Sequence, residues 1–163
     1  MSCADIGIPE HLHQNDKKPD QDFRKDSLIY IRVEPGKLKQ RLPNMNAFKT
    51  RDQSCNRDKY SQSPEDVLYK INAKDKNDHY FNWGIVSLKI SEIENQNFPH
   101  PEIKNRIYTL RLIHKPEKCM FPHSEIHTHC NDEYKRVKPK KLRLSIKNYY
   151  RKHCKILRRG IHL

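Results

Sequence analysis

Apolar positions along this chain come in short bursts separated by polar, proline-marked stretches. The first ordered burst, "SLIYIRV" (27–33), alternates Leu28, Tyr30 and Arg32 with Ile29, Ile31 and Val33. That is the period of a strand with two different faces. Pro35-Gly36 follows as a turn. "YFNWGIVSLKI" (80–90) predicts a strand burying Ile85, Val86 and Leu88. "RIYTLRLIH" (106–114) predicts another, setting Ile107, Thr109, Arg111 and Ile113 against Tyr108, Leu110 and Leu112. "HSEIHTH" (123–129) predicts one more, while Phe48 marks a short strand and "RDQSCNRDKY" (51–60) reads as a loop.

Helical signals are of two kinds. Ser63-Pro64-Glu65-Asp66 supplies an N-cap serine, proline at the first helical position and acids in the first turn, predicting a short helix near 63–72. "SEIENQ" (91–96) predicts one or two turns capped by Ser91. Pro139 opens a longer helix over 140–159, where Leu142, Ile146, Tyr149, Tyr150, His153, Ile156 and Leu157 recur at three- and four-residue spacing. There are no internal repeats. The expected fold is α+β: one small mixed sheet, the short helix near 63–72 and an amphipathic basic C-terminal helix. Residues 1–25 read as an extended polar arm, 26–133 as the body and 134–163 as the basic helix docked on it.

Charge changes this picture at one end only. The formal net charge is +13, from 33 Lys+Arg against 20 Asp+Glu in 163 residues. Twelve cations lie in 134–163: Lys135, Arg136, Lys138, Lys140, Lys141, Arg143, Lys147, Arg151, Lys152, Lys155, Arg158 and Arg159. No acid accompanies them, so the other 21 cations face all 20 acids in a nearly neutral body. So dense a basic segment attracts polyanions, with nucleic acid first among them. Lys147, Arg151, Lys155 and Arg158 are expected to line the phosphate-facing side, and Tyr149 and Tyr150 are available for base stacking.

The five cysteines, Cys3, Cys55, Cys119, Cys130 and Cys154, are odd in number and irregularly spaced, and no apolar leader precedes them. A reducing, cytoplasmic setting with mostly free thiols is expected, without a membrane partner, since the apolar runs are too short to span a bilayer. "FPHSEIHTHC" places His123, Glu125, His127 and His129 on one strand face with Cys119 nearby. Zinc accepts such donors, so His123, His127, His129 and Cys119 are the metal candidates, although CxxC, HExxH and finger spacings are all missing. No cofactor is expected otherwise. Four glycines leave no phosphate-cradling loop, which excludes P-loop and Rossmann chemistry.

A scattered set, Arg32, Ser54 with Asn56 and Arg57, and His123, has the residue types to hold a phosphorylated ligand around one cleft. These residues also carry a resemblance. "DSLIYIRVEP", "AFKTRDQSCNRDKYSQSPEDVL", "WGIVSL" and "FPHSEI" together resemble a group of small uncharacterised bacterial proteins with an L-Y-R-R strand, a phenylalanine before an S-x-N segment, a P-E-x-V-L helix and a late H-A-x-I. Across residues 26–126 the resemblance marks Arg32, Phe48, Ser54, Asn56, Pro64, Glu65 and His123. Ile31 stands where that group has its first arginine, so an arginine pair does not carry over. The resemblance implies an accessory component of a mobile-element or anti-phage defence cluster.

The leading expectation is therefore a non-enzymatic, nucleic-acid-binding accessory subunit of a bacterial complex with a protein partner, meeting the phosphate backbone through its C-terminal helix. Two readings stay open beside it. One is a nucleotide- or nucleic-acid-modifying enzyme using Arg32, Ser54 and His123. The other is an adaptor whose basic helix docks an acidic protein.

Overall fold

Strand β1 (Leu28–Val33) forms as its alternation dictates: Ile29, Ile31 and Val33 are buried, while Leu28, Tyr30 and Arg32 are partly exposed. A computed structural model describes residues 1–131 and 133–161; Asp132 and positions 162–163 of the expected basic helix lie outside the described residues. The remaining strands are β2 (Gln53–Arg57), β3 (Gly84–Lys89), β4 (Asn97–Pro99), β5 (Ile107–His114), β6 (His123–Cys130), β7 (Glu133–Tyr134) and β8 (Lys155–Arg158). They make one eight-stranded sheet in the order β4-β5-β6-β2-β1-β3-β8, with β7 added beside β6. Every pairing is antiparallel. The fold is thus α+β, but its sheet is neither small nor mixed in strand direction.

One face of this sheet carries the core. Ile29 pairs with Leu88 and Ile31 with Val86. These side chains join Leu110, Leu112 and Ile126 in a cluster closed by Leu142, Ile146 and Tyr150 of helix α2 (Lys140–His153). Burial of each such aliphatic side chain contributes about 1.5–3 kcal/mol. Tyr150 stacks obliquely on Phe48, centroids 5.4 Å apart. The hydroxyl of Tyr149 donates to the Glu92 carbonyl at 2.5 Å, tying α2 to the single-turn helix α1 (Ser91–Glu94). Burial pushes the Tyr149 hydroxyl up to about 12.

Helix α2 ends six residues earlier than its apolar period predicts. Cys154 turns extended (φ −73, ψ 155), and residues 155–158 pair with the edge of β3. Covering an exposed edge satisfies backbone groups that another helical turn would leave to water. Ile156 packs against the core from the sheet edge, and Leu157 is exposed.

Three other expectations change. The predicted helix near 63–72 is a 3-10 turn over Pro64–Leu68 without a Ser63 side-chain cap. Buried Asp66 instead accepts from the Gln62 amide (2.8 Å) and meets His11 Nε2 (2.9 Å), while Val67 and Leu68 pack on Ile85. Tertiary contacts win over local propensity there. "RDQSCNRDKY" contains β2 rather than only a loop, and Phe48 follows a 3-10 turn over Met45–Ala47 instead of sitting in a strand. Ser91 does not cap α1, whose N-cap position is Ile90.

The N-terminal arm is not a free polar extension. Ile6, Ile8 and Leu12 form a second apolar cluster with Ala73 and Met120. Cys3 and Cys119 are joined in a disulfide; Cys55, Cys130 and Cys154 are free. Further along, Arg57, buried on β2, donates through Nη1 to Asp20 O (2.6 Å) and through Nη2 to Asp22 O (2.5 Å). Its guanidinium lies 4.1 Å over the Phe23 ring. Among the described residues, no helix is long and apolar enough to cross a membrane.

Candidate functional site: a basic groove and an adjoining Ser–His cleft

The polar face of the sheet and the connection from β1 to β2 build the site. After β1, Gly36 turns the chain with φ +93, and Asn44 caps the Met45–Ala47 turn by accepting from the Asn46 amide at 2.9 Å. Residues 46–51 then run past the first turns of α2. Arg143 and Lys147, one turn apart on α2, face this segment across a groove of 690 Å³. Lys37, Lys49, Arg51 and Arg136 complete its cationic lining, and Glu34 is the acid among the lining residues. Glu34 is paired with Lys37 at 3.2 Å. Arg51 lies 3.6 Å from Asp52 and donates to the Tyr134 hydroxyl at 3.1 Å. Among the described residues, Lys49, Arg136 and Lys147 have no ion-pair partner.

The twelve C-terminal cations divide by what they touch. Arg136, Arg143 and Lys147 line the groove. Arg136, Lys135 and Lys138 line a smaller hollow of 280 Å³ beside His100 and Arg106, with Lys135 also 3.4 Å from Glu133. Lys140, Lys141, Lys152 and Lys155 are exposed away from both. Arg143 Nη1 also donates locally to Lys138 O (2.8 Å), and three further arginines reach carbonyls of distant segments. Arg151 Nε donates to Pro43 O (2.8 Å), Arg158 to Phe81 O, and Arg159 Nη1 to Leu38 O (2.6 Å) and Gln40 O (2.9 Å). The expected face of Lys147, Arg151, Lys155 and Arg158 is therefore not one surface. Lys37 and Lys49, which do line the groove, lie in a stretch where no periodicity singles them out.

A cleft of 210 Å³ adjoins the groove, sharing Glu34, Lys37, Asn46 and Lys49 with it. It opens where sheet pairing stops. The β1–β2 ladder spans Ile29–Arg57 and Tyr30–Asn56; beyond it Arg32 and Ser54 both line the gap, with Tyr80 and Trp83 above. The Arg32 guanidinium sits 4.5 Å over the Tyr80 ring. Desolvation draws its pKa down, against a raising contribution from Tyr80. Among the described residues, Arg32 makes no ion pair with a carboxylate.

Ser54 Oγ is 3.1 Å from His123 Nε2, and His123 Nδ1 is 2.7 Å from the Lys115 carbonyl. A carbonyl oxygen accepts only, so Nδ1 carries the proton, and in the neutral ring Nε2 accepts from the serine hydroxyl. The structure thus places Arg32 and Ser54 on the lining of the cleft, with buried His123 behind Ser54, on three neighbouring strands. Asn56 is buried, and its amide donates to Met120 Sδ at 3.2 Å, so it faces the N-terminal arm and not the cleft.

The metal candidates separate. Cys119 is committed to its disulfide and His123 to Ser54 and Lys115. His127 meets Glu125 Oε2 at 2.7 Å and Asp52 Oδ1 at 3.5 Å, and these three donors lie within 4.8 Å of one another. His129 lies next to His127, centroids 6.3 Å apart, outside the trio. Lys115 Nζ is 3.1 Å from Glu125 Oε1, and the Tyr134 hydroxyl donates to Asp52. Burial raises the Glu125 carboxyl, but hydrogen bonds from His127 and Lys115 outweigh it and its pKa is lowered. The trio's negative charge is thus already met within the chain.

Comparison with known proteins returns no match: no protein family fits the chain, and no curated protein or solved structure is significantly similar to it.

Proposed function

We propose that the chain binds nucleic acid by its phosphate backbone in the groove between α2 and residues 46–51, acting as an accessory component of a bacterial complex. The observation that carries this reading is the lining of that groove: cations from two separate chain segments face each other, and the acid among them is already paired. Opposed cationic walls repel each other in the free protein and are relieved by a polyanion between them. The grip is on phosphate, so it orients a strand without reading its bases. Engaging about five phosphates gives a log–log salt slope of roughly −4 to −5 on duplex DNA. The test is a binding titration with a fluorescein-labelled oligonucleotide at several salt concentrations. Affinity that is indifferent to salt removes the proposal. So does affinity unchanged when Lys49, Arg136, Arg143 and Lys147 become glutamine.

A further inference from the structure

We propose that Ser54 is a nucleophile toward a phosphodiester, with His123 as its general base and Arg32 as the group that holds the phosphate. The substrate class rests on the groove reading above; the Ser–His geometry does not.

The hydrogen-bond directions carry the argument. The Lys115 carbonyl fixes the proton of His123 on Nδ1, which leaves the Nε2 lone pair facing Ser54. The serine hydroxyl therefore spends its proton on the histidine and leaves its oxygen lone pairs for other contacts. A serine meant to bind a phosphate would need its O–H directed at the anion. A serine meant to attack needs a base on its proton and a third group orienting that base, which is the arrangement found here. His123 is buried and Ser54 partly exposed, so the base is shielded while the hydroxyl lines the cleft.

Arg32 supplies the second element. Its guanidinium rests on Tyr80, lacks a carboxylate ion pair among the described residues and lines the same cleft as Ser54. The planar fork of donors matches phosphate oxygens, and fixed cationic donors act where charge gathers in the transition state. Because the cleft and the groove share Lys37 and Lys49, a strand lying in the groove passes its backbone toward Ser54.

The reaction balances without any further reagent than water. Ser54 Oγ bonds to phosphorus as its proton moves to His123 Nε2. The P–O bond to the leaving strand breaks, and His123 returns the proton to the leaving oxygen. Water, deprotonated by His123, then attacks the phosphoserine. Ser54 leaves with the returned proton, and the other strand keeps a phosphomonoester.

The test uses the full chain with a labelled single-stranded oligonucleotide, read on a denaturing gel, and with bis(p-nitrophenyl) phosphate, read by absorbance. Cleavage is expected, falling by about 10³-fold in Ser54→Ala. That variant should keep the wild-type melting temperature and salt-dependent binding. Arg32→Lys, which keeps the charge and loses the fork, should reduce the rate by about tenfold. A cleavage rate in wild type no greater than in Ser54→Ala, on both substrates, overturns the proposal. If oligonucleotide binding shows no salt dependence while bis(p-nitrophenyl) phosphate is still cleaved by Ser54, the groove reading has failed and the nucleophile stands.

Discussion

Two sets of cations in this molecule have the same charge and opposite duties. Lys49, Arg136, Arg143 and Lys147 face a groove. Arg57, Arg151, Arg158 and Arg159 reach carbonyl oxygens of distant segments. The first set adds little to folding and leaves its charge available to a ligand. The second is spent on holding the chain together: Arg57 fixes residues 20–23 to the sheet, and Arg159 fixes the C-terminal strand to residues 38–40. Net charge alone cannot separate them. A cation counts toward polyanion binding only if donors remain after its backbone contacts. Arg143 gives Nη1 to the nearby Lys138 O (2.8 Å) and keeps the rest of its fork for the groove, whereas Arg57 and Arg159 each give donors to two carbonyls of distant segments.

Substitutions in each set should therefore move different measurements. The largest effect is expected at Arg57, whose guanidinium is 2% exposed and satisfies two carbonyls. Arg57→Met should lower stability by about 3 kcal/mol in urea unfolding, by the loss of two charged hydrogen bonds that tie residues 20–22 to the buried guanidinium. Next comes the groove. Arg143→Gln with Lys147→Gln should reduce the salt slope by about 1.5–2 through the loss of two phosphate contacts. The same double variant should stay within about 0.5 kcal/mol of wild type in unfolding. Arg159→Met, at a partly solvated site, should cost about 1 kcal/mol and leave the slope alone.

The smallest effect is one of pH on the clamp that Arg57 organises. His114 accepts the Asp20 amide at Nδ1 (2.9 Å) and donates from Nε2 to Phe121 O (2.7 Å), packed between Tyr60 and Phe121. Burial first of all, then the nearby Arg57, lowers its pKa from 6.5 against the opposing hydrogen bonds. The unfolded chain thus takes up the proton first. His114 contributes its full stability above about pH 6.5 and loses it as the pH falls toward the folded-state value. Asp20, held far below the ordinary carboxylate range by hydrogen bonds from Lys59 and Tyr60, adds a separate loss below pH 3.8. Chemical denaturation at stepped pH should show the upper loss in wild type and its absence in His114→Phe.

How far the sequence foretold this layout follows from the kind of signal each region carries. β1, β5 and β6 were legible because one face is buried and the period-two pattern shows through, and β3 because it is a short apolar run buried on both faces. β2 was hidden because Arg57 and Gln53 are polar yet buried: Arg57 is held by carbonyls 37 and 35 residues away, and Gln53 by the Lys49 amide and the Ser54 carbonyl beside it. The N-terminal cluster escaped because Ile6, Ile8 and Leu12 follow neither the helical nor the strand period. Helix α2 was legible through Leu142, Ile146 and Tyr150, but its end was not, since the edge of β3 decides it. Of the site, Arg32, Ser54 and His123 could be named as residue types, whereas their meeting depends on where the β1–β2 ladder ends. Lys37, Lys49 and the Lys115 carbonyl left no sequence signal at all.

The most direct test of the division between groove and clamp cations is a salt titration of oligonucleotide binding with wild type, a groove variant and a clamp variant. The groove variant carries glutamine at Lys49, Arg136, Arg143 and Lys147; the clamp variant is Arg159→Met. The expected result is a wild-type log–log slope near −4 to −5 on duplex, reduced by about 3–4 in the groove variant and unchanged in the clamp variant. Equal slopes in all three proteins, or a larger loss in the clamp variant than in the groove variant, would contradict it.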